Sequence, residues 1–89
     1  MTNEEIYKSA IEVFGAENQE NICIEECAEL IQAINKKHRG KEHNISEEIA
    51  DVEITIEQLK IINDCHKEVE AIKEQKINRL FASVFDECM

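Results

Sequence analysis

The chain has 89 residues, and 20 acidic residues against 10 basic ones give it a net charge of −10. A chain of this length holds one core, so we expect a single domain over residues 1–89, and a hydrophobic content of 43% argues against disorder. The charge argues against binding to nucleic-acid backbones or anionic membranes, where positive charge supplies most of the attraction. With no proline and only two glycines, the chain is predicted to be all-α.

Four helices are predicted along the chain. The first is bounded by a capping box of Thr2 with Glu5 and by a stop signal at Gly15. The third is capped by Asn44 or Ser46. Short connections between helices of this length favour antiparallel neighbours, and hence a four-helix bundle-like domain. The predicted ranges are about 3–14, 19–38, 45–62 (beginning at 45 or 47) and 67–86.

The beginning of the chain and its four cysteines indicate a cytoplasmic setting. The first residues lack the basic and apolar regions of a signal peptide, and no apolar run reaches the roughly 18 residues that span a bilayer. Cys23 and Cys27 lie four apart on one predicted helix, so reduced thiols are favoured over a disulfide framework. A zinc site made by these two cysteines and a histidine is the weaker alternative, because its spacing is unusual.

Acidic residues lie on the apolar sides of the two middle helices. At 100° per residue, Glu26 lies at the edge of the apolar face of the second helix, and Glu48 lies inside the main apolar stripe of the third. A spacing of three places Glu26 near Glu29, and Glu48 near Asp51. The stripe of the third helix comprises Ile45, Ile49, Val52, Ile56 and Leu59.

A second apolar strip on the third helix predicts a homo-oligomer. Ala50, Ile54 and Ile61 lie opposite the main stripe, and a helix that is apolar on two sides must bury both. A small monomer offers few partners for the second side, so a homodimer or homotetramer that associates through a helical face is expected. The alternative is that the fourth helix covers this strip.

Antiparallel packing of the middle helices would bring four carboxylates into one pocket. Two charges about 5 Å apart repel by roughly 3 kcal/mol at an effective dielectric constant near 20, so such a cluster must take up protons, separate or bind a cation. Oxygen ligands select hard ions, which favours Mg²⁺, or Mn²⁺ as an alternative. No Glu-x-x-His motif of a di-iron bundle is present. A solvated acidic face remains the other interpretation.

The acidic residues form a pattern of two parts separated by about twenty residues. It resembles the E-E-x-x-E…E-x-x-D signature of the MazG-like all-α nucleoside triphosphate pyrophosphatases, and the residues before and after it are similar to small members of that family. Together these features cover about 11–80. The matching segments are Glu25-Glu26-x-x-Glu29, Glu48-x-x-Asp51, Phe14-Gly15-x-x-x-Gln19 and Lys76-Ile77-Asn78-Arg79-Leu80.

The resemblance implies that the chain hydrolyses a nucleoside triphosphate to a monophosphate and pyrophosphate with Mg²⁺. It assigns the metal ligands to Glu26, Glu29, Glu48 and Asp51. Glu25 becomes a supporting ligand or the general base that orients the attacking water. This agrees with metal chemistry in general, since a divalent ion neutralises phosphate charge and lowers the pKa of a bound water.

Substrate contacts are expected from residues outside the acidic motif. Lys73, Lys76 and Arg79 recur every three residues along the fourth helix and are candidates for holding phosphates, or form an exposed face paired with neighbouring glutamates. Gln19 is a candidate for contacting the substrate, or is simply a helix-start residue. The few aromatic residues, Tyr7 and Phe14 among them, are more often core than base-stacking, so base selectivity stays open.

Two alternatives to this function follow from the same residues. A phosphoribosyl-ATP pyrophosphohydrolase has a similar acidic pattern but is expected to act on one pathway intermediate and ignore common deoxynucleotides. A non-catalytic helical interaction module would use its acidic helices only to keep an oligomer soluble. Metal separates the enzyme from the module, because ion binding stabilises a folded site and leaves a mere acidic surface unchanged.

Overall fold

The computed structural model describes the backbone of residues 1–88 and the side chains of residues 1–86, and within these ranges it contains four helices and no strand. The all-α prediction is therefore confirmed. The second helix begins three residues earlier than predicted, directly after the glycine that ends the first. The helices are α1 (Asn3–Phe14), α2 (Ala16–His38), α3 (Ile45–Ile62) and α4 (His66–Cys88).

The ends of α1 form as its capping residues predict. The hydroxyl of Thr2 accepts a hydrogen bond from the backbone N–H of Glu5 at 3.1 Å, which satisfies a donor that the helix leaves free. Gly15 has φ of 92°, a conformation that side chains disfavour, and its N–H donates to the carbonyl of Ile11. One glycine therefore ends α1 and turns the chain into α2.

The centre of the molecule is the antiparallel pair of α2 and α3, against which α1 packs. Its interior is unusually polar, because the buried residues include two small apolar side chains, Cys23 and Ala33, and twice as many polar ones. The buried polar residues are Gln19, Glu48, Thr55 and Gln58. Cys23, Cys27 and Cys65 are free thiols.

The main apolar stripe predicted for α3 lies at the edge of the interface, with Ile45, Val52 and Leu59 half-buried. Glu48, Thr55 and Gln58 are buried, whereas Ile49 and Ile56, each one residue after a buried one, remain exposed by 43% and 36%. One residue is 100° of helix rotation, so α3 meets α2 with the polar row that precedes the apolar stripe. The side of α3 that is most buried is therefore a polar one, and the more hydrophobic side next to it is partly exposed.

The second strip of α3 turns toward α1 and α4. Ala50 and Ile54 line a cleft together with Tyr7 of α1 and Lys73 of α4. The two helices together cover part of the strip, whereas the alternative considered for it was cover by the fourth helix, and Ile54 stays 44% exposed. This strip therefore gives weaker support for oligomerisation than the sequence pattern suggested.

Most of α4 projects away from the other helices. Within the described chain it packs against α3 alone, and every side chain from 70 to 86 is exposed. The radius of gyration of 16.4 Å exceeds the ~12 Å expected for a compact chain of this length. No helix in the described part of the chain combines the length and the apolarity that a bilayer crossing demands.

Candidate metal centre

The register of α2 against α3 is set by a buried hydrogen bond between two amide side chains. Gln19 Nε2 donates to Gln58 Oε1 at 2.6 Å. Antiparallel helices step in opposite directions, so two turns along α2 lead to Glu26 and two turns back along α3 lead to Asp51. One further turn in each direction leads to Glu29 and to the residue opposite it, Glu48. The acidic motifs therefore lie on facing sides of the same helix pair.

Three of the four predicted ligands converge. Carboxylate oxygens of Glu26, Glu29 and Glu48 all lie within 4.8 Å of one another. Glu48 is buried at 7% exposure, Glu26 is half-buried and Glu29 is exposed. The cluster is thus enclosed on its inner side and open to solvent at Glu29, where an ion or a phosphate could enter.

Two oxygens at the inner side of the cluster have no hydrogen-bond partner in the described structure. They are Oε2 of Glu26 and Oε2 of Glu48, and both are shielded from solvent. The other oxygen of Glu48 accepts a hydrogen bond of 2.7 Å from Nδ2 of Asn44. Asn44 precedes α3 as predicted, but its side chain makes no helix-capping bond and instead orients this carboxylate. Leaving a charged oxygen buried and unpaired is costly, so this arrangement calls for a cation or a proton.

The electrostatics of the cluster are visible at Glu26. Its pKa is raised above the ordinary value, first because burial disfavours the charged carboxylate, and then because Glu29, Asp51 and Glu48 contribute negative charge nearby. A raised pKa in a group of facing carboxylates indicates negative charge that no neighbouring side chain neutralises.

The donor set fits a hard divalent cation. All the converging atoms are carboxylate oxygens, two of them are buried without partners, and the cluster contains no histidine or thiol. Such a set suits Mg²⁺ or Mn²⁺ better than zinc, copper or an iron–sulfur cluster. Cys23 and Cys27 instead line an apolar groove elsewhere on α2, so the zinc alternative receives no support from this geometry.

The remaining acidic candidates, Asp51 and Glu25, lie beside the cluster. Asp51 is half-buried and lines a cleft of about 170 Å³, and its charge contributes to the raised pKa of Glu26. Glu25 is exposed and makes no hydrogen bond to a described residue. The lining of the cleft is completed by Ile22, Glu26, Ile54, Thr55 and Gln58.

The predicted substrate-binding residues are not gathered around the carboxylates in this chain. Gln19 is buried and bonded to Gln58. Lys73 lies 3.6 Å from Glu70 and borders the cleft next to α1. Lys76 and Arg79 are exposed on the projecting part of α4 and form no ion pair with a described acidic side chain.

Sequence reasoning missed Thr55 and Gln58, which are buried and line the cleft next to the carboxylates. A signal for them was present. Thr55 lies seven residues after Glu48, and Gln58 lies seven after Asp51, so both fall on the same face of α3 as the acidic motif. The row was not predicted because the isoleucines next to it in sequence form a stronger hydrophobic pattern.

Comparisons with known proteins agree with this geometry. No curated protein and no solved structure matches the chain. The family model of the MazG nucleotide pyrophosphohydrolase domain matches residues 14–69. This match contains α2, α3 and every carboxylate of the cluster. Because it spans more than half of an all-helical chain, the protein belongs to the MazG nucleotide pyrophosphohydrolase family.

Proposed function

We propose that the protein is a Mg²⁺-dependent nucleoside triphosphate pyrophosphohydrolase. It would cleave ribo- or deoxyribonucleoside triphosphates between the α- and β-phosphates, releasing the monophosphate and pyrophosphate, in house-cleaning or in control of a nucleotide pool. The observation that carries the proposal is the pair of buried, unpartnered oxygens of Glu26 and Glu48 beside Glu29, in a chain of this family. The free thiols accord with action in the cytoplasm.

The metal would be held by Glu26, Glu29, Glu48 and Asp51, of which the first three already lie together. A Mg²⁺ ion bound there would supply positive charge to the triphosphate and help water ionise near neutral pH. Asn44 keeps one oxygen of Glu48 occupied, so that the other points to the cluster without a competing donor. The protein would therefore contribute a buried inner ligand, Glu48, held by Asn44, and an exposed outer ligand, Glu29.

Glu25 is the proposed general base. It lies on α2 next to a ligand residue, is exposed, and has no hydrogen bond to a described group that would occupy its carboxylate. A free carboxylate at this position can orient water and accept its proton.

Binding the phosphates requires positive charge, because a chain with a net charge of −10 repels a triphosphate. We assign this role to Lys73, Lys76 and Arg79 on α4, whose side chains are exposed and therefore accessible to a phosphate. Gln19 would reach a substrate only by opening its hydrogen bond to Gln58.

The size of the site supports a homo-oligomer, either a dimer or a tetramer. The cleft beside the carboxylates has a volume of about 170 Å³, whereas pockets for small ligands are commonly ~300–1,000 Å³. A nucleotide must therefore extend beyond this cleft. A second copy of the chain would supply additional walls and cover apolar surface that this chain leaves exposed.

A panel of nucleoside triphosphates with Mg²⁺, with the products separated, tests the activity. We expect a nucleoside monophosphate and pyrophosphate in equal amounts. Release of orthophosphate, or no turnover of any triphosphate, would contradict the proposal. Turnover of phosphoribosyl-ATP with no turnover of the common nucleotides would instead identify the phosphoribosyl-ATP pyrophosphohydrolase.

A further inference from the structure

The projecting part of α4 carries a continuous apolar row. Five residues spaced three or four apart lie on one side of the helix, each between 48% and 62% exposed. The rings of two of them stack with their centroids 4.4 Å apart, which makes a hydrophobic ridge with nothing against it in the described chain. We call this the α4 row, and its members are Ile77, Leu80, Phe81, Val84 and Phe85.

An apolar groove runs along α2 beside α3. Two isoleucines that are 68% and 60% exposed, Ile24 and Ile31, form one wall, and Leu59 of α3 forms the other. We call this the cysteine groove, because the thiols of Cys23 and Cys27 lie along its floor. Its volume is about 480 Å³. It opens on the side of α2 that carries Cys27, away from the face that carries Glu26 and Glu29.

We propose that the α4 row of one copy of the chain packs in the cysteine groove of a second copy, and that the second copy does the same in return. This proposal rests on the homo-oligomer proposed above and names its interface. A second copy of the chain carries both a row and a groove, so it can cover the α4 row and the cysteine groove of the first copy at the same time. Pairing one α4 with another would bury the rows and leave both grooves open.

The two surfaces match in length. At 1.5 Å per residue the row from 77 to 85 is about 12 Å long, and the groove from Glu20 to Ile31 is about 17 Å long. A side-by-side helix contact therefore places the whole row within the groove. In a symmetric dimer each chain contributes both a row and a groove toward the ~800 Å² per partner that stable interfaces commonly bury.

The two surfaces are also complementary in charge. Residues 71–85 contain three basic side chains and one acidic one, whereas the groove is lined by one acidic side chain, Glu20, and by no basic one. Glu20 lies at the end of the groove, where it would face this excess of positive charge. Arg79 faces the opposite side of α4 and stays outside the contact.

Molar mass in solution and thiol reactivity test the proposal on the full chain. We expect the wild-type protein to have at least twice the mass of 10.3 kDa that one chain has. Replacing Phe81 and Phe85 with glutamine, or Ile24 and Ile31 with glutamine, should return it to the mass of one chain. Phe14→Gln is the matched control, because Phe14 is equally exposed but lies at the end of α1. It should leave the mass unchanged.

Alkylation of individual cysteines shows where the row binds. In the wild-type assembly Cys27 should react at least tenfold more slowly than in the Phe81→Gln/Phe85→Gln variant, while Cys65, at the junction of α3 and α4, should react equally in both. If the variant does not fold, the same protection is measured in the wild type, where dilution should accelerate reaction at Cys27 but not at Cys65.

Each contrary result identifies what failed. A wild-type protein with the mass of one chain overturns the oligomer together with this interface. An oligomer that keeps its mass in the Phe81→Gln/Phe85→Gln variant overturns the role of the α4 row. A variant that dissociates without any gain of reactivity at Cys27 shows that the row binds elsewhere. None of these results depends on whether the protein hydrolyses nucleotides.

Discussion

Helix α3 takes part in two groups of charged residues, one at each end, and the two groups differ in the signs of charge that they bring together. Near its start, Glu48 faces Glu26 and Glu29 with no cation among the described residues within reach of an ion pair. Near its end, Glu57 lies 2.8 Å from Lys60, which lies 4.0 Å from a glutamate of α4. The first group concentrates one sign of charge, whereas the second alternates the signs.

The pKa values record this difference. The pKa of Glu26 is raised by burial and by the surrounding carboxylates, whereas the pKa of Glu57 is lowered, chiefly by its hydrogen bond from Lys60. The pKa of Lys60 is raised by the same contact. In the group of Glu57 and Lys60 the opposite charges balance, so no further ion is needed. In the group of Glu26, Glu29 and Glu48 all charges are negative, which suits it to bind a cation from solution.

The largest effect is expected when Glu48 is replaced by glutamine. Glu48→Gln should lower turnover at least 100-fold, because it removes the innermost ligand. It should also raise the stability of the metal-free protein by about 1–2 kcal/mol, because like-charge repulsion is relieved. Steady-state kinetics and thermal melting in a chelator measure the two effects.

Glu47→Gln is the matched control, because Glu47 is an exposed neighbour outside the cluster. It should change neither quantity appreciably. Full activity in Glu48→Gln would contradict the ligand assignment. A loss in Glu47→Gln as large as that in Glu48→Gln would mean that the two residues exchange roles in the working enzyme.

Metal should affect the two groups unequally. At a Mg²⁺ concentration 100 times its Kd, the wild-type protein should gain about 2.7 kcal/mol, seen as a rise in Tm of roughly 10 °C or more for a domain of this size. Glu48→Gln should lose most of this gain. Glu57→Gln should keep all of it, since Glu57 pairs with Lys60 on another side of α3. Identical melting with and without Mg²⁺ would favour the non-catalytic module.

The convergence of the carboxylates was predictable because it depends on local rules. Helix spacing places Glu26 near Glu29 and Glu48 near Asp51, and a short connection makes the two helices antiparallel. Burial of Glu48 was expected from its position inside an apolar stripe, and it is confirmed, although Ile49 and Ile56 of that stripe stay exposed.

The polar contacts and the position of α4 were not predictable from the same rules. The bond between Gln19 and Gln58 joins residues 39 apart in sequence, and a helical wheel contains no information about partners on another helix. Asn44 has the residue type of a cap but donates to Glu48, a choice made by the tertiary structure. The amphipathic pattern of α4 indicates that its apolar side must be covered, but not by which chain.

The smallest expected effect is on the pH dependence of stability, where the two groups should act in opposite directions. Glu26 has a raised pKa in the folded protein. Its contribution to the free energy of unfolding is therefore fully present below the unfolded pKa near 4.5, and it is lost as the pH rises through the folded pKa. Glu57 has a lowered pKa, so its contribution is present above the unfolded value near 4.5 and is lost as the pH falls through the folded value. We therefore measure Tm against pH in a chelator. In Glu26→Gln the fall of Tm above about pH 4.5 should become smaller, and in Glu57→Gln the fall of Tm toward acid pH should become smaller. If Glu26→Gln followed the wild-type curve throughout, the carboxylates near the start of α3 would be as well solvated as those near its end, and the contrast between the two groups would disappear.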